Sequence, residues 1–161
     1  MVKSDTGFAN DLLIHNIGKI DFSVKESIDE KGLHNYLKVT GYLPHSQVIS
    51  EQLGASLLLL LINNTPNANL ILTGKIFEYL ASRRPIICIA PEYGDAANII
   101  AECKAGKVFG FDETEKLKAE IIHSYDRFRQ NKLHSESEGI EKYDRRNLTG
   151  QMAQLLTGLT V

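Results

Sequence analysis

No stretch of this 161-residue chain is apolar for long enough to cross a bilayer. The longest run, 57–62, spans six residues, where a spanning helix needs about 20. No apolar segment follows Met1, so no secretory leader is expected and the protein reads as cytoplasmic. Excess charge of one sign is also missing: 18 Lys and Arg stand against 20 Asp and Glu, a net charge of −2. Such a balance gives no general attraction to nucleic acid or anionic lipid, and no nucleic-acid partner is expected. Cysteine is scarce. Cys88 lies in an apolar run and Cys103 in a mixed segment; one bridge between them is open, but two buried thiols in a reducing compartment is the preferred reading. The five histidines (15, 34, 45, 123 and 134) include no i,i+4 pair on one helix, so no metal site is expected. There is no serine nucleophile elbow and no P-loop pattern. Arg127, Arg129 and Lys132 are too sparse for a nucleic-acid patch and read as a solvated helix face.

What is present is an alternation of short apolar runs with amphipathic segments. Strands are expected at 12–17, 36–40, 56–62, 85–90 and 108–111, and helices at 22–31, 44–53, 74–83, 96–104, 113–129 and 147–156. Short buried strands with intervening helices specify a parallel α/β sheet with right-handed crossovers. The runs 57–62 and 86–89 are apolar throughout, which suits central strands covered on both faces. In such sheets ligands bind beyond the carboxyl ends of the strands. Here those ends are Gly18, Gly41, Asn63 and Pro91.

The segment richest in chemistry is 73–87. Thr73 is a candidate N-cap, with Gly74 and Lys75 in the first turn of the helix that follows. A helix start offers free backbone N–H groups and a positive dipole end, which together bind phosphate. Lys75 adds a full charge there. Helical spacing puts Lys75, Glu78 and Ser82 on one face, so Glu78 is placed to accept hydrogen bonds from a ribose diol. The plain alternative is an i,i+3 surface ion pair between Lys75 and Glu78, worth a few tenths of a kcal/mol. His45 reads equally as a pocket-lining residue or as an ordinary helix start. His15, inside a strand, reads as a satisfied core or edge residue, and Asp95 as an N-cap rather than a catalytic acid.

The string Gly74-Lys75-Ile76-Phe77-Glu78-Tyr79-Leu80-Ala81, followed by Arg84-Pro85-Ile86-Ile87, resembles a motif of the GT-B glycosyltransferases. Upstream, Leu33 and then Gly41-Tyr42-Leu43-Pro44-His45 are similar to a second family segment. Downstream, Gly94-Asp95-Ala96-Ala97 with Ala105-Gly106, and then Tyr143-Asp144-Arg145-Arg146-Asn147-Leu148-Thr149, are similar to two more. The four occur in the family's order over nearly the whole chain. The resemblance implies a Rossmann-like parallel sheet with helices on both faces, the C-terminal domain of the GT-B fold. It would be a single domain over 1–161, lacking the N-terminal acceptor domain and with no clear counterpart of the family's first strand. Such a domain holds the donor of a glycosyltransferase and by itself transfers no sugar.

The resemblance further implies a role for each matched position. Glu78 would bind the ribose hydroxyls of a nucleotide-sugar, and Thr73, Gly74 and Lys75 its diphosphate. Lys75 would also stabilise the leaving diphosphate, the one catalytic role assigned. Gly41, Tyr42 and Leu43 would border the base, with His45 and Val48 beside them. The implied partners are the nucleoside-diphosphate-sugar donor, an N-terminal domain of the same protein and a glycan or lipid-linked acceptor. The donor is a substrate, and neither cofactor nor metal is implied. In a longer protein the domain would be cytoplasmic, with peripheral attachment at the inner face of a membrane as an option. One departure stands out. Many retaining members carry a second glutamate eight residues before the ribose-binding one, and here that position is Leu70. No donor-sugar contact or stereochemical outcome is therefore carried over. Two rivals remain: a sugar-nucleotide epimerase of the same architecture, whose acid–base residues are not identifiable, and a non-catalytic α/β module resembling a receiver domain. The latter would need an acidic cluster at strand ends that here are Gly18 and Asn63.

Overall fold

The structure, a computed structural model, describes residues 1–159. It is an α/β protein in which every strand pairing is parallel and the strands are flanked by helices. In chain order the elements are α1 (Thr6–Asp11), β1 (Ile14–Ile17), α2 (Phe22–Glu30), β2 (Leu37–Thr40), α3 (His45–Gly54), β3 (Leu58–Leu61), α4 (Lys75–Ser82), β4 (Ile86–Ile89), α5 (Asp95–Glu102), β5 (Gly106–Phe109), α6 (Thr114–Arg129) and α7 (Arg145–Gly158). Short 3-10 turns occupy His34–Tyr36, Ala68–Leu70 and Ile140–Tyr143. No helix among the described residues is long and apolar enough to cross a membrane. The chain divides into two compact units, Met1–Glu51 and Gln52–Val161, and the strands divide with them.

In the first unit β1 pairs with β2 in the register Ile14↔Leu37 to Ile17↔Thr40. The chain leaves β1 through Gly18, whose φ of +100° lies where residues with a Cβ are strained. Its N–H donates to the Thr40 carbonyl at 2.8 Å and so ties the ends of both strands together. Asp21 caps α2: its carboxylate accepts from the Ser23 N–H at 2.9 Å and from the Ser23 hydroxyl at 2.6 Å. These two bonds stabilise the charged form and hold the carboxyl below its ordinary pKa, the hydroxyl contributing most. His15 on β1 bears out its reading as a satisfied residue: Nε2 lies 2.8 Å from the Thr40 hydroxyl and Nδ1 lies 3.5 Å from Glu51 Oε2.

The second unit holds the larger core. Its sheet has the order β3-β4-β5, each neighbour joined through a helix, as short parallel strands require. β4 is covered on both faces, with Ile86, Ile87 and Cys88 at most 3% exposed. Ile76 and Leu80, one turn apart on α4, and Ile99 and Ile100 on α5 pack into a cluster with Leu60, Ile62, Cys88, Cys103 and Ala105. Gly106 opens β5 at a point where a Cβ would fall 1.8 Å from the Ile86 carbonyl oxygen, so only glycine lets β5 come this close to β4.

Two expectations need correction. The strands make two sheets rather than one. In addition, β3 is an edge strand of its sheet, not a central one. Leu58 and Leu60 are buried, whereas Leu59 and Leu61 are 49% and 58% exposed. An all-leucine strand is apolar on both faces, so its composition cannot tell a strand covered twice from one covered once. Helix α1 was not foreseen. It is capped by Asp5, whose carboxylate accepts from the Phe8 N–H at 2.9 Å, an N-cap signal ahead of a helix of only six residues.

Cys88 and Cys103 are both buried and unbridged. Burial raises both thiol pKa values, that of Cys88 to about 11. Neither thiol is therefore expected to react with iodoacetamide at pH 8 in the folded protein, and both should react in urea; mass spectrometry of the alkylated chain reads this directly. The linked pH effect has a definite sign. Because the folded Cys88 pKa lies above its ordinary 9.0, the contribution is complete below pH 9 and is lost as pH rises toward 11.

Candidate functional site

The start of α4 gathers four of the expected residues, Thr73 and Gly74 just before the helix and Lys75 and Glu78 in its first turn. The helix forms because Ile76 and Leu80 share an apolar face that is 0% and 2% exposed. It ends at Arg83, whose φ of 52° places it in the left-handed region. The side chain of Arg83 is fixed by Glu141 at 2.9 Å. The N-cap is Gly74, not Thr73. Gly74 already has helical backbone angles (φ −57°, ψ −26°), which moves the boundary one residue along. The first turn closes tightly, with Ile76 N–H donating to the Thr73 carbonyl and Phe77 N–H to that of Gly74, both at 3.2 Å. The N–H groups of Gly74 and Lys75 have no acceptor among the described residues. Thr73 Oγ1 is buried and has no hydrogen-bond partner.

Lys75 is exposed and enters no ion pair among the described residues. The i,i+3 pair with Glu78 is thus not formed. Glu78 is half-buried, and its Oε2 accepts instead from Gln52 Nε2 at 3.0 Å. Its Oε1 has no hydrogen-bond partner among the described residues. Its charge also reaches the neighbouring Tyr79, whose phenol is raised above its ordinary pKa by burial first and by Glu78 second. Ser82, expected on the same polar face, is buried and donates to the Tyr79 carbonyl at 2.7 Å.

Gln52 was not foreseen. It is 7% exposed, and its Oε1 is buried without a partner. A buried unsatisfied acceptor costs about 1–3 kcal/mol, so an apolar residue would fit this place better on stability alone. A signal was available in the sequence. Gln52 lies four residues after Val48 and three after Ile49, on the apolar stripe of α3, where a polar side chain needs a reason. Its helix end is anchored by Arg84, whose guanidinium donates to the Leu53 carbonyl. Glu78 on α4 and Arg84 just before β4 thus hold the end of α3 at two adjacent residues, Gln52 and Leu53.

The remaining expected residues belong to the first unit. Gly41, Tyr42 and Leu43 follow β2. Gly41 is exposed and Leu43 half-buried, while Tyr42 is 86% exposed. His45 opens α3 and is exposed, and Val48 is half-buried one turn later. The α3 start is closed by the Pro44 carbonyl, which accepts from Gln47 at 2.9 Å and Val48 at 3.1 Å. Leu70 ends the 3-10 turn Ala68–Leu70 and is 74% exposed. Asp95 is the first residue of α5 rather than its cap, which is Gly94. An added Cβ there would lie 3.2 Å from the Asn69 carbonyl oxygen, so backbone crowding gives that place to glycine.

Tyr143 packs its ring 5.7 Å from that of Phe77 and donates through its hydroxyl to Glu102 at 2.8 Å. The segment before α7 thereby braces both α4 and α5. Arg127, Arg129 and Lys132 are held locally: Arg127 lies 3.6 Å from Glu136, the Arg129 guanidinium sits 5.9 Å over the Tyr125 ring, and Lys132 donates to Gln130 at 3.2 Å. An open groove lined by Lys142, Arg146, Asn147, Gly150, Gln151 and Gln154 includes none of the expected site residues. No group of three His, Cys, Asp or Glu placed to hold a metal ion occurs among the described residues. Comparison with known proteins finds no family model and no curated sequence that matches the chain.

Proposed function

We propose that this chain is the donor-binding part of a glycosyltransferase, holding a nucleoside-diphosphate sugar for transfer to a glycan or lipid-linked acceptor. The observation that carries the reading is the first turn of α4. There an unpaired Lys75 and two unengaged backbone N–H groups stand one turn from a carboxylate that is held by an amide rather than by that lysine. Cation and free N–H groups suit a diphosphate. A carboxylate with an unused oxygen suits a diol. In this reading Thr73, Gly74 and Lys75 take the diphosphate and Glu78 the ribose. Lys75 and the helix start would then stabilise the negative charge that develops on the leaving diphosphate.

The test compares a nucleoside with its diphosphate. Lys75→Ala should weaken the diphosphate by about 1.5 kcal/mol, roughly tenfold, the worth of one hydrogen bond to a charged group. The bare nucleoside should be unaffected. Calorimetric titration of both ligands into both proteins reads the difference. Equal losses for the two ligands, or no binding of any nucleoside diphosphate by the unaltered chain, would count against the proposal.

A further inference from the structure

Glu78 is steered by a side chain that stability alone would not select. Gln52 is 7% exposed, and its carboxamide oxygen is buried without a donor. Its nitrogen is committed to Glu78 Oε2 at 3.0 Å. The assignment of nitrogen and oxygen follows from chemistry, since an ionised carboxylate only accepts. The backbone beside Gln52 is fixed as well, through the bond from Arg84 to the Leu53 carbonyl. A rigid amide therefore grips one oxygen of Glu78 while the other, Oε1, is left without a partner among the described residues. An exposed glutamate would sample several rotamers and would have to be ordered by its ligand. A pre-fixed one does not, and the saving is realised as affinity.

We propose that Gln52 is a positioning residue: it holds Glu78 so that the unused carboxylate oxygen meets the ribose hydroxyls, and it thereby sets the preference of the site for ribonucleotides over 2′-deoxyribonucleotides. This inference rests on the donor-site reading of Glu78. Gln52 contacts the carboxylate and acts through it. The unsatisfied amide oxygen is the cost of supplying a donor at that point.

The test is a double-mutant cycle on the full chain, read as the affinity ratio between each of the four ribonucleoside diphosphates and its 2′-deoxy counterpart. Gln52→Met keeps the length of the side chain and removes the donor. It should leave the melting temperature unchanged or higher and reduce the ribo preference about 3- to 10-fold. Gln52→Asn keeps an amide but draws it out of reach of Glu78, and it should reduce the ratio similarly, which keeps the test open if the methionine variant does not fold. Glu78→Gln should reduce the ratio at least as far. The double variant should be no worse than Glu78→Gln alone, because residues that act through one another are not additive. A merely structural Gln52 would lower stability and leave the ratio intact. If Glu78→Gln abolishes the preference while both Gln52 variants retain it, the positioning role is wrong and the donor-site reading stands. If the unaltered chain shows no ribo preference, or Glu78→Gln leaves it unchanged, the donor-site reading fails and the positioning role fails with it.

Discussion

Glu78→Gln should weaken nucleoside-diphosphate binding by about 1.5–3 kcal/mol, or roughly 10- to 150-fold, the worth of hydrogen bonds to a charged acceptor. The change keeps size and shape and removes only the charge. Folding should hardly respond, because a glutamine carbonyl at position 78 can still accept the 3.0 Å bond from Gln52. Glu78→Ala behaves differently. It strands the buried Gln52 amide and should lower stability by about 1–3 kcal/mol, the cost of an unsatisfied buried donor. Calorimetry paired with thermal melts separates the two effects. A Glu78→Gln protein that melts several degrees lower yet binds normally would make the carboxylate a structural partner of Gln52 and nothing more.

Gly106→Ala should be among the most damaging single changes in the chain. The new Cβ would lie 1.8 Å from the Ile86 carbonyl oxygen, 2.6 Å from its carbon and 2.8 Å from the Ile86 nitrogen. All three are backbone atoms of the central strand and cannot swing aside as a side chain could. Relief requires β5 to move off β4 at the head of their register, where Ile86 faces Gly106. The cost should be on the order of 3 kcal/mol or more, the upper end for overpacking. Gly54→Ala, at the end of α3 with nothing within 4 Å of the added carbon, is the matched control and should change stability by less than about 1 kcal/mol. Urea denaturation of the two variants gives both numbers, and equal midpoints would remove the close-approach explanation of Gly106.

The parts legible in the sequence were those governed by short-range periodicity. Alternating runs located all five strands and six of the seven helices found among the described residues, and the Lys75–Glu78 turn was recognisable from helical spacing. What escaped depended on partners distant in sequence. Whether 57–62 had cover on one face or two depended on what packs against it, with Leu58 and Leu60 buried and Leu59 and Leu61 exposed, which leucines alone do not encode. The N-cap of α4 turned on backbone angles at Gly74, where glycine's freedom leaves both Thr73 and Gly74 open. The Gln52–Glu78 bond joins residues 26 apart, beyond the reach of any local pattern. Only the polar interruption of an apolar stripe hinted at it.

The two sequestered thiols make the chain chemically quiet toward maleimides, which opens a spectroscopic use. With Cys88 and Cys103 buried, a cysteine placed at exposed Lys25 on α2 and another at exposed Lys118 on α6 would be the sites a fluorophore reaches, with no native cysteine removed first. One dye then rides on each of the two compact units. Energy transfer between them would report any ligand-driven change in their separation in real time, in a protein whose core is untouched.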